Sequence, residues 1–278
     1  MTYFSAMLIV SHLYIYPVKS LGGISVSAGN VTSRGLEYDR RMMLTDHNNQ
    51  FITQRELPQL ALLQPAFVDG GITVRLKKNP ADTLFIPFKP DTTENVAVKV
   101  WDDPCTATVY GSCINEWFSR VLGLQCRLVM MPDDSKRYVD KRYAHNNEIT
   151  SFADDYPLLL IGQASLDDLN ARLAEPIPMD RFRPNIVFTG GGPFIEDEMK
   201  KFTINTIEFA VVKPCRRCVI TTIDQEEGSK SNEPLKTLAT YRMKNNKVLF
   251  GQNLLHNGHG TIRVGDRIDV QTYQSAAI

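Results

Sequence analysis

What most constrains this chain is the way Gly, Pro and Asn cut it into short segments of β-type patterning. Leu13 and Ile15 alternate with His12, Tyr14 and Tyr16, the period-two pattern of a half-buried strand that Pro17 ends. Comparable runs follow at Gly71–Leu76, Leu84–Ile86, Val96–Val100, Thr106–Tyr110, Cys126–Met130, Leu158–Ile161, Ile186–Phe188 and Ile204–Val212. The last are Phe250–Asn253 and Gly260–Val270, the latter folded about a Val-Gly-Asp turn. The turn His47–Gln50 leads into Phe51–Arg55 as an expected hairpin. Many short strands with such punctuation predict sheets closed or folded on themselves, a barrel or a sandwich. Helical signals are few. They are Asn115–Gly123, a helix Leu166–Leu173 capped by Ser165 with Asp168 at its third position, and a piece beginning at Pro234. The expected class is mainly β, of the α+β kind.

A chain of 278 residues with 43% hydrophobic residues has material for one large or two modest domains. From Met131 to Asp155 charge and Asn accumulate without periodicity, the profile of a functional lid, a linker or a mobile segment. A domain boundary is therefore expected near its start, dividing 1–125 from 126–278. Thirty-one basic and thirty-one acidic residues cancel, so no global field recruits nucleic acid or an anionic membrane, while a local basic pocket stays open. Five cysteines form no disulfide scaffold. Met1–Val18 lacks a basic leader region and alternates like a strand, and no apolar run reaches membrane-spanning length. The expectation is a soluble cytoplasmic protein.

The chemistry concentrates at Val211–Asp224, where an apolar run feeds Lys213-Pro-Cys-Arg-Arg-Cys218 and a β-branched run follows. This reads as strand, tight loop, strand. A positive field favours thiolate, the form that attacks or ligates a metal, and arginines grip phosphate with paired donors. The loop can hold a phosphorylated cofactor and a metal together, or be a packed thiol pair with solvated arginines. Lys19-Ser20 at a strand exit before Gly22-Gly23 reads either as a phosphate contact or as a solvated strand end. Gly190–Pro193 lacks the following helix and Lys-Ser/Thr of a phosphate loop and reads as a plain turn.

Other chemistries fit less well. Cys215 and Cys218 with His256 and His259 supply four zinc-type ligands, but the His pair is one residue too tight and the intervening loop far too long. A cysteine hydrolase needs a base that none of the five histidines announces. A redox Cys-x-x-Cys wants a helix N-terminus beneath it, and these flanks are strand-like.

Six motifs occur in order: Tyr16-Pro-Val-Lys-Ser20, Asp39-Arg40, Arg183-Pro-Asn185, Lys213–Cys218, Phe250-Gly-Gln-Asn253 and Gly260–Asp266. Together they resemble the MOSC family, named for the C-terminal domain of molybdenum cofactor sulfurase, with its N-terminal β-barrel companion. The resemblance covers nearly the whole chain. It is nearest to bacterial N-hydroxylated-base reductases and the mitochondrial amidoxime-reducing component. It implies a MOSC β-barrel with short helices beside an N-terminal β-barrel-like domain, and a molybdopterin cofactor whose metal is bound by Cys218. It further implies that Lys19, Ser20, Arg40, Arg183, Asn185, Arg217 and Asn253 hold the pterin and its phosphate. Arg216 in the same loop, and Asp155 and Tyr156, would line the cofactor too, while Cys215 would only pack. Four cations from separate segments are costly to gather unless a dianion joins them, and soft thiolate suits a redox metal. The implied reaction is reductive dehydroxylation of a small N-hydroxylated substrate. With no cysteine after Cys218, no iron–sulfur ligands follow it, so the expected electron source is a separate ferredoxin- or flavin-type protein. The alternative is a non-catalytic carrier of molybdenum cofactor or sulfur.

Overall fold

The protein was analysed as a computed structural model that describes residues 7–144 and 146–276. Seven strands form a closed barrel. Around its wall they run Leu158–Gly162, Ile186–Thr189, Leu8–Ile15, Arg267–Tyr273, Met199–Ile204, Ile207–Arg216 and Lys247–Asn257, and the last pairs back onto the first. One neighbouring pair is parallel, Leu158–Gly162 with Ile186–Thr189. A parallel pair needs a crossover, and helix Gln163–Asn170 supplies it. Inward-facing Val10, Leu13, Leu160, Phe188, Phe202, Phe209 and Leu254 fill the barrel, with Phe202 and Phe209 stacked at 5.2 Å. The alternation read at Leu13 and Ile15 is thus the inward face of one barrel strand. Residues 1–6 of the expected N-terminal strand lie outside the described residues.

The remaining strands form smaller sheets. Met42–Thr45, Arg127–Met130, Asp103–Val109 and Asn95–Val100 make one, and Leu63–Val68, Gly71–Leu76 and Asn79–Pro87 another. Helix Ser112–Leu122 buries Ile114, Trp117, Phe118 and Leu122 against them and ends where Gly123 turns left-handed at φ 69°. The architecture is mainly β. The sheets do not part at residue 125. Leu8–Ile15 is a barrel strand, Ala28–Thr32 pairs with Gly260–Arg263, and Met42–Thr45 pairs with Arg127–Met130. Among the described residues no helix is long and apolar enough to cross a membrane.

Four local expectations change. The β-branched run after Cys218 is a 3₁₀ turn, Val219–Thr222, because Thr221 and Thr222 hydroxyls donate back to the carbonyls of Cys218 and Val219 at 3.0 and 2.8 Å. The hairpin does turn back at His47–Gln50, the Ile52 amide donating to the Leu44 carbonyl at 2.9 Å, but Phe51–Arg55 does not continue as a strand. Phe51 makes a single bridge to Thr45, after which the amides of Glu56 and Leu57 fold back onto the Thr53 carbonyl. Ser165 caps nothing: it lies inside the helix, and its hydroxyl donates to buried Glu196 at 2.8 Å while accepting from the Phe194 amide. Finally, 131–155 is a strap rather than a loose connection. Arg41 donates to the Met131 carbonyl and to Asp133, and Arg34 to the Asp133 carbonyl. Arg137, only 4% exposed, donates to the carbonyls of Ser151, Ala153 and Asp154. Aperiodic sequence hid these contacts because the arginines that make them come from elsewhere in the chain or act on carbonyls.

Candidate functional site

One end of the barrel opens into a cavity. Strand Ile207–Arg216 carries Lys213 and Cys215 into its wall, and register shifts at Val211/Lys213 and Pro214/Arg216 bend the strand there. Arg217 and Cys218 follow before the 3₁₀ turn. Across the cavity lie Lys19 and Ser20 from the exit of Leu8–Ile15, Arg40 from the turn after the strand Gly35–Leu36, and Ala153–Tyr156 from the end of the strap. Arg181–Arg183 come from the turn entering Ile186–Thr189, and Asn253 from strand Lys247–Asn257. Every residue singled out in the sequence, namely Lys19, Ser20, Arg40, Asp155, Tyr156, Arg183, Asn185, Arg216, Arg217, Cys218 and Asn253, lines this one space.

The side chains are held individually. Arg40 donates to both Asp39 oxygens (2.9 and 2.7 Å), to Asn185 Oδ1 at 3.2 Å and to the Arg183 carbonyl. Arg40 and Arg183 both stack on the buried Tyr16 ring, at 4.2 and 4.3 Å. Asn185 is a brace as well as a wall, since its amide also donates to the Tyr14 carbonyl and accepts from the Leu159 amide. Arg217 donates to the Phe182 carbonyl and to Cys215 Sγ at 2.8 Å, so Cys215 has a partner rather than merely packing. Asn253 donates to the Lys213 carbonyl.

Sequence reasoning missed Arg55, Asp154, Arg181 and Lys213 as lining residues. Lys213 stood inside the quoted Lys-Pro-Cys motif, which was its signal. Arg55 and Asp154 gave none, because their role exists only in their pairing. Asp154 accepts from Lys19 and, at 2.8 Å, from Arg55; burial works against the Arg55 guanidinium, but Asp154 and then Cys218 raise it above its ordinary value. Burial works against the Asp154 carboxylate, but Lys19 and Arg55 outweigh it and hold the group well below the usual carboxylate range. Burial pulls the Lys19 ammonium down, with Asp154 opposing. Burial, helped by Arg40, lowers Arg183 to about 10, which leaves it a cation at neutral pH. Burial and then Asp155 push the Tyr156 phenol up, keeping it protonated.

Eight basic side chains and two carboxylates line the cavity. Arg40 and Arg181 are answered from behind by Asp39 and Asp224. Among the described residues Arg183, Arg216 and Arg217 have no ion-pair partner. Nor do any three His, Cys, Asp or Glu side chains gather as a metal set there, so the zinc arrangement of two cysteines and two histidines does not form.

The MOSC domain matches residues 147–269, and the MOSC N-terminal β-barrel domain matches residues 7–125. Mouse mitochondrial amidoxime-reducing component 1 is 33% identical over 279 residues, covering 93% of this chain and 81% of that protein. The chain belongs to the MOSC family. The human mitochondrial amidoxime-reducing component 1 is 32% identical, with 93% of this chain and 82% of that protein covered. Molybdenum cofactor sulfurase of Oryza sativa subsp. japonica is 32% identical over 86% of this chain, but the match spans 31% of that larger protein. As a MOSC protein, the chain places its cavity between the two matched regions: Lys19, Arg40 and Arg55 come from the first, and Asp154, Arg183 and Cys218 from the second.

Proposed function

We propose that this protein binds a molybdenum cofactor in the cavity and, with electrons from a separate donor protein, reduces small N-hydroxylated compounds. The observation that carries the reading is Cys218, one of two thiols in the lining with Cys215, set among eight basic side chains that only two carboxylates answer there. In a chain of zero net charge that imbalance is local, and like charges gathered in a part-desolvated space favour an anionic ligand. The residues fit a phosphorylated, sulfur-rich cofactor. Among the described residues Arg183, Arg216 and Arg217 are cations without an ion-pair partner, Arg217 Nε and the Tyr156 hydroxyl are buried without a hydrogen-bond partner, and the thiol is a soft ligand. Lys19, Ser20, Arg40 and Arg183 would hold the phosphate end, and Cys218 the metal. The bound cofactor supplies the two-electron redox centre. In the net reaction the N–O bond breaks, two electrons and two protons enter, and the amine or amidine and water leave. The donor protein is the named reductant. Asp154 pins Lys19 and Arg55 in place, and Arg55 sets a positive charge in the cavity that Cys218 lines. The similarity to amidoxime-reducing components over most of both chains supports the substrate class.

The test is molybdenum content and turnover together. Protein loaded with cofactor and a chemical reductant should dehydroxylate an amidoxime. Cys218→Ser should lose bound metal and activity, whereas Cys215→Ser should keep the metal. Metal-loaded protein that turns over no N-hydroxylated compound would refute the reductase. The likeness to molybdenum cofactor sulfurase gives a second reading, a carrier of cofactor or sulfur. Stoichiometric transfer of cofactor to an apo-enzyme, without such turnover, would establish that one instead.

A further inference from the structure

A cavity walled by cations gives an organic base nothing to lie against, so the body of the substrate in the reading above needs a different surface. The structure holds one next door. A groove shares Asp155, Tyr156 and Lys213 with the cavity and continues past Trp101 and Tyr138. Its charge is reversed: four carboxylates and two cations line it. Trp101 and Tyr138 are 46% and 53% exposed, unusual for rings of that size inside a concave surface. Trp101 is also one side chain from the cavity. The Arg55 guanidinium stacks on its ring at 4.6 Å, bonds Asp154, and lines the cavity together with Cys218. At the junction of groove and cavity stands Tyr156, 5% exposed, with a hydroxyl that has no hydrogen-bond partner among the described residues.

We propose that this groove is the subsite for the body of the substrate, and that it selects flat organic cations. The open part of the Trp101 ring takes a planar face, with Phe51 packed edge-on to that ring at 5.2 Å as its backing. Asp102, which makes no ion pair among the described residues, balances the positive charge, whereas Asp140 at the groove wall is already paired with Arg142. The reducible end then passes Tyr156 into the cavity. Trp101 is the residue that sets the preference. The inference rests on the proposed reductase for the identity of the reacting end, but the subsite itself is measurable without turnover.

The chain has two tryptophans, and the other, Trp117, is buried on helix Ser112–Leu122 and does not line this groove. In a Trp117→Phe protein all indole fluorescence reports on Trp101. Titration with benzamidinium should quench it saturably. Benzoate, flat but anionic, and cyclohexanecarboxamidinium, cationic but not flat, should each bind at least about tenfold more weakly, the scale of a lost charge or ring contact. On the holoenzyme, Trp101→Ala should raise KM for a flat N-hydroxylated cation about tenfold with kcat within about twofold and unchanged molybdenum content, a loss of uniform binding. Equal quenching by all three probes would overturn the subsite, as would a Trp101→Ala enzyme that loses kcat and metal while keeping KM. Selective quenching without any turnover would leave the subsite standing and refute the reductase instead.

Discussion

Ser20, Arg40 and Arg183 hold L side chains at φ of 69°, 48° and 55°, in the left-handed region that glycine tolerates best. Each such residue costs about 1–3 kcal/mol, which persists only where the surroundings over-determine it, and all three line the cavity. Strain of this kind favours presenting a side chain over stability. Ser20→Gly should therefore leave the cofactor-free protein as stable or up to about 1 kcal/mol more stable, and Ser20→Val should cost about 1–2 kcal/mol, both read by urea denaturation. Neither substitution touching stability would mean that the backbone there is unstrained. Asp154 makes a pH prediction. Its folded pKa lies below the ordinary carboxylate value, so its stabilisation is complete above about pH 4 and is lost as pH falls from there through the depressed folded pKa. The stability gap between wild type and Asp154→Asn should be constant from neutral pH down to about pH 5 and shrink below about pH 4. A gap that closes near neutrality would remove Asp154 as its source. The size stays modest, because the side chain is 44% exposed and water screens the pair.

The element that decides whether the cavity closes is strand Lys247–Asn257, and within it Phe250-Gly-Gln-Asn253. Every residue of that motif has a separate task. Phe250 is fully buried and stacks on Phe182 at 4.3 Å, fixing the turn that carries Arg181 and Arg183. Gln252 donates to buried Asp197 at 2.6 Å, and Asn253 reaches the cavity. Gly251 sits at φ 76°, where a Cβ would stand 2.6 Å from Ile161 Cγ1 and 3.0 Å from the Leu160 carbonyl oxygen. Ile161 is fully buried and belongs to the strand that closes the barrel, so it has nowhere to move. Gly251→Ala should cost about 2–4 kcal/mol from backbone strain and overpacking together. It should also reduce bound cofactor, since Asn253 and the seam shift with it. Full stability and full cofactor content in that variant would show that the seam is not tight. The motif was legible as a string in the sequence. The reason for its glycine was not, because the clash is with residues 90 positions away.

At the scale of the whole molecule, the strand that begins the described chain is barrel wall, between Ile186–Thr189 and Arg267–Tyr273. A division at residue 125 would leave the barrel one strand short, with two exposed edges. Thermal unfolding of the full chain should therefore be one cooperative transition for the barrel and its strap, and a fragment starting at residue 126 should give no sharp transition. A cooperatively melting fragment would show that the barrel closes without Leu8–Ile15. The same arrangement explains why the site was partly readable. Lys19 and the two cysteines stand out in short local motifs, while Arg40, Arg183 and the ligand role of Cys218 are expected only from the resemblance to the MOSC family. Arg55 and Asp154 had no local signal, since a salt bridge spanning 99 residues is a property of the fold.

Local patterning by itself determined the β class and most strand positions, because whether a side chain faces in or out alternates along the strand and needs no distant partner. Local chemistry marked the Lys213–Cys218 loop as able to meet an anion or a metal, and the family resemblance supplied most of the other expected site residues. Only the tertiary structure decided which strands pair, that Leu158–Gly162 meets Lys247–Asn257 to shut the barrel, and that one cavity gathers all those side chains. Pairing and register follow from the apolar area that remote segments bury together, and no single segment carries that information.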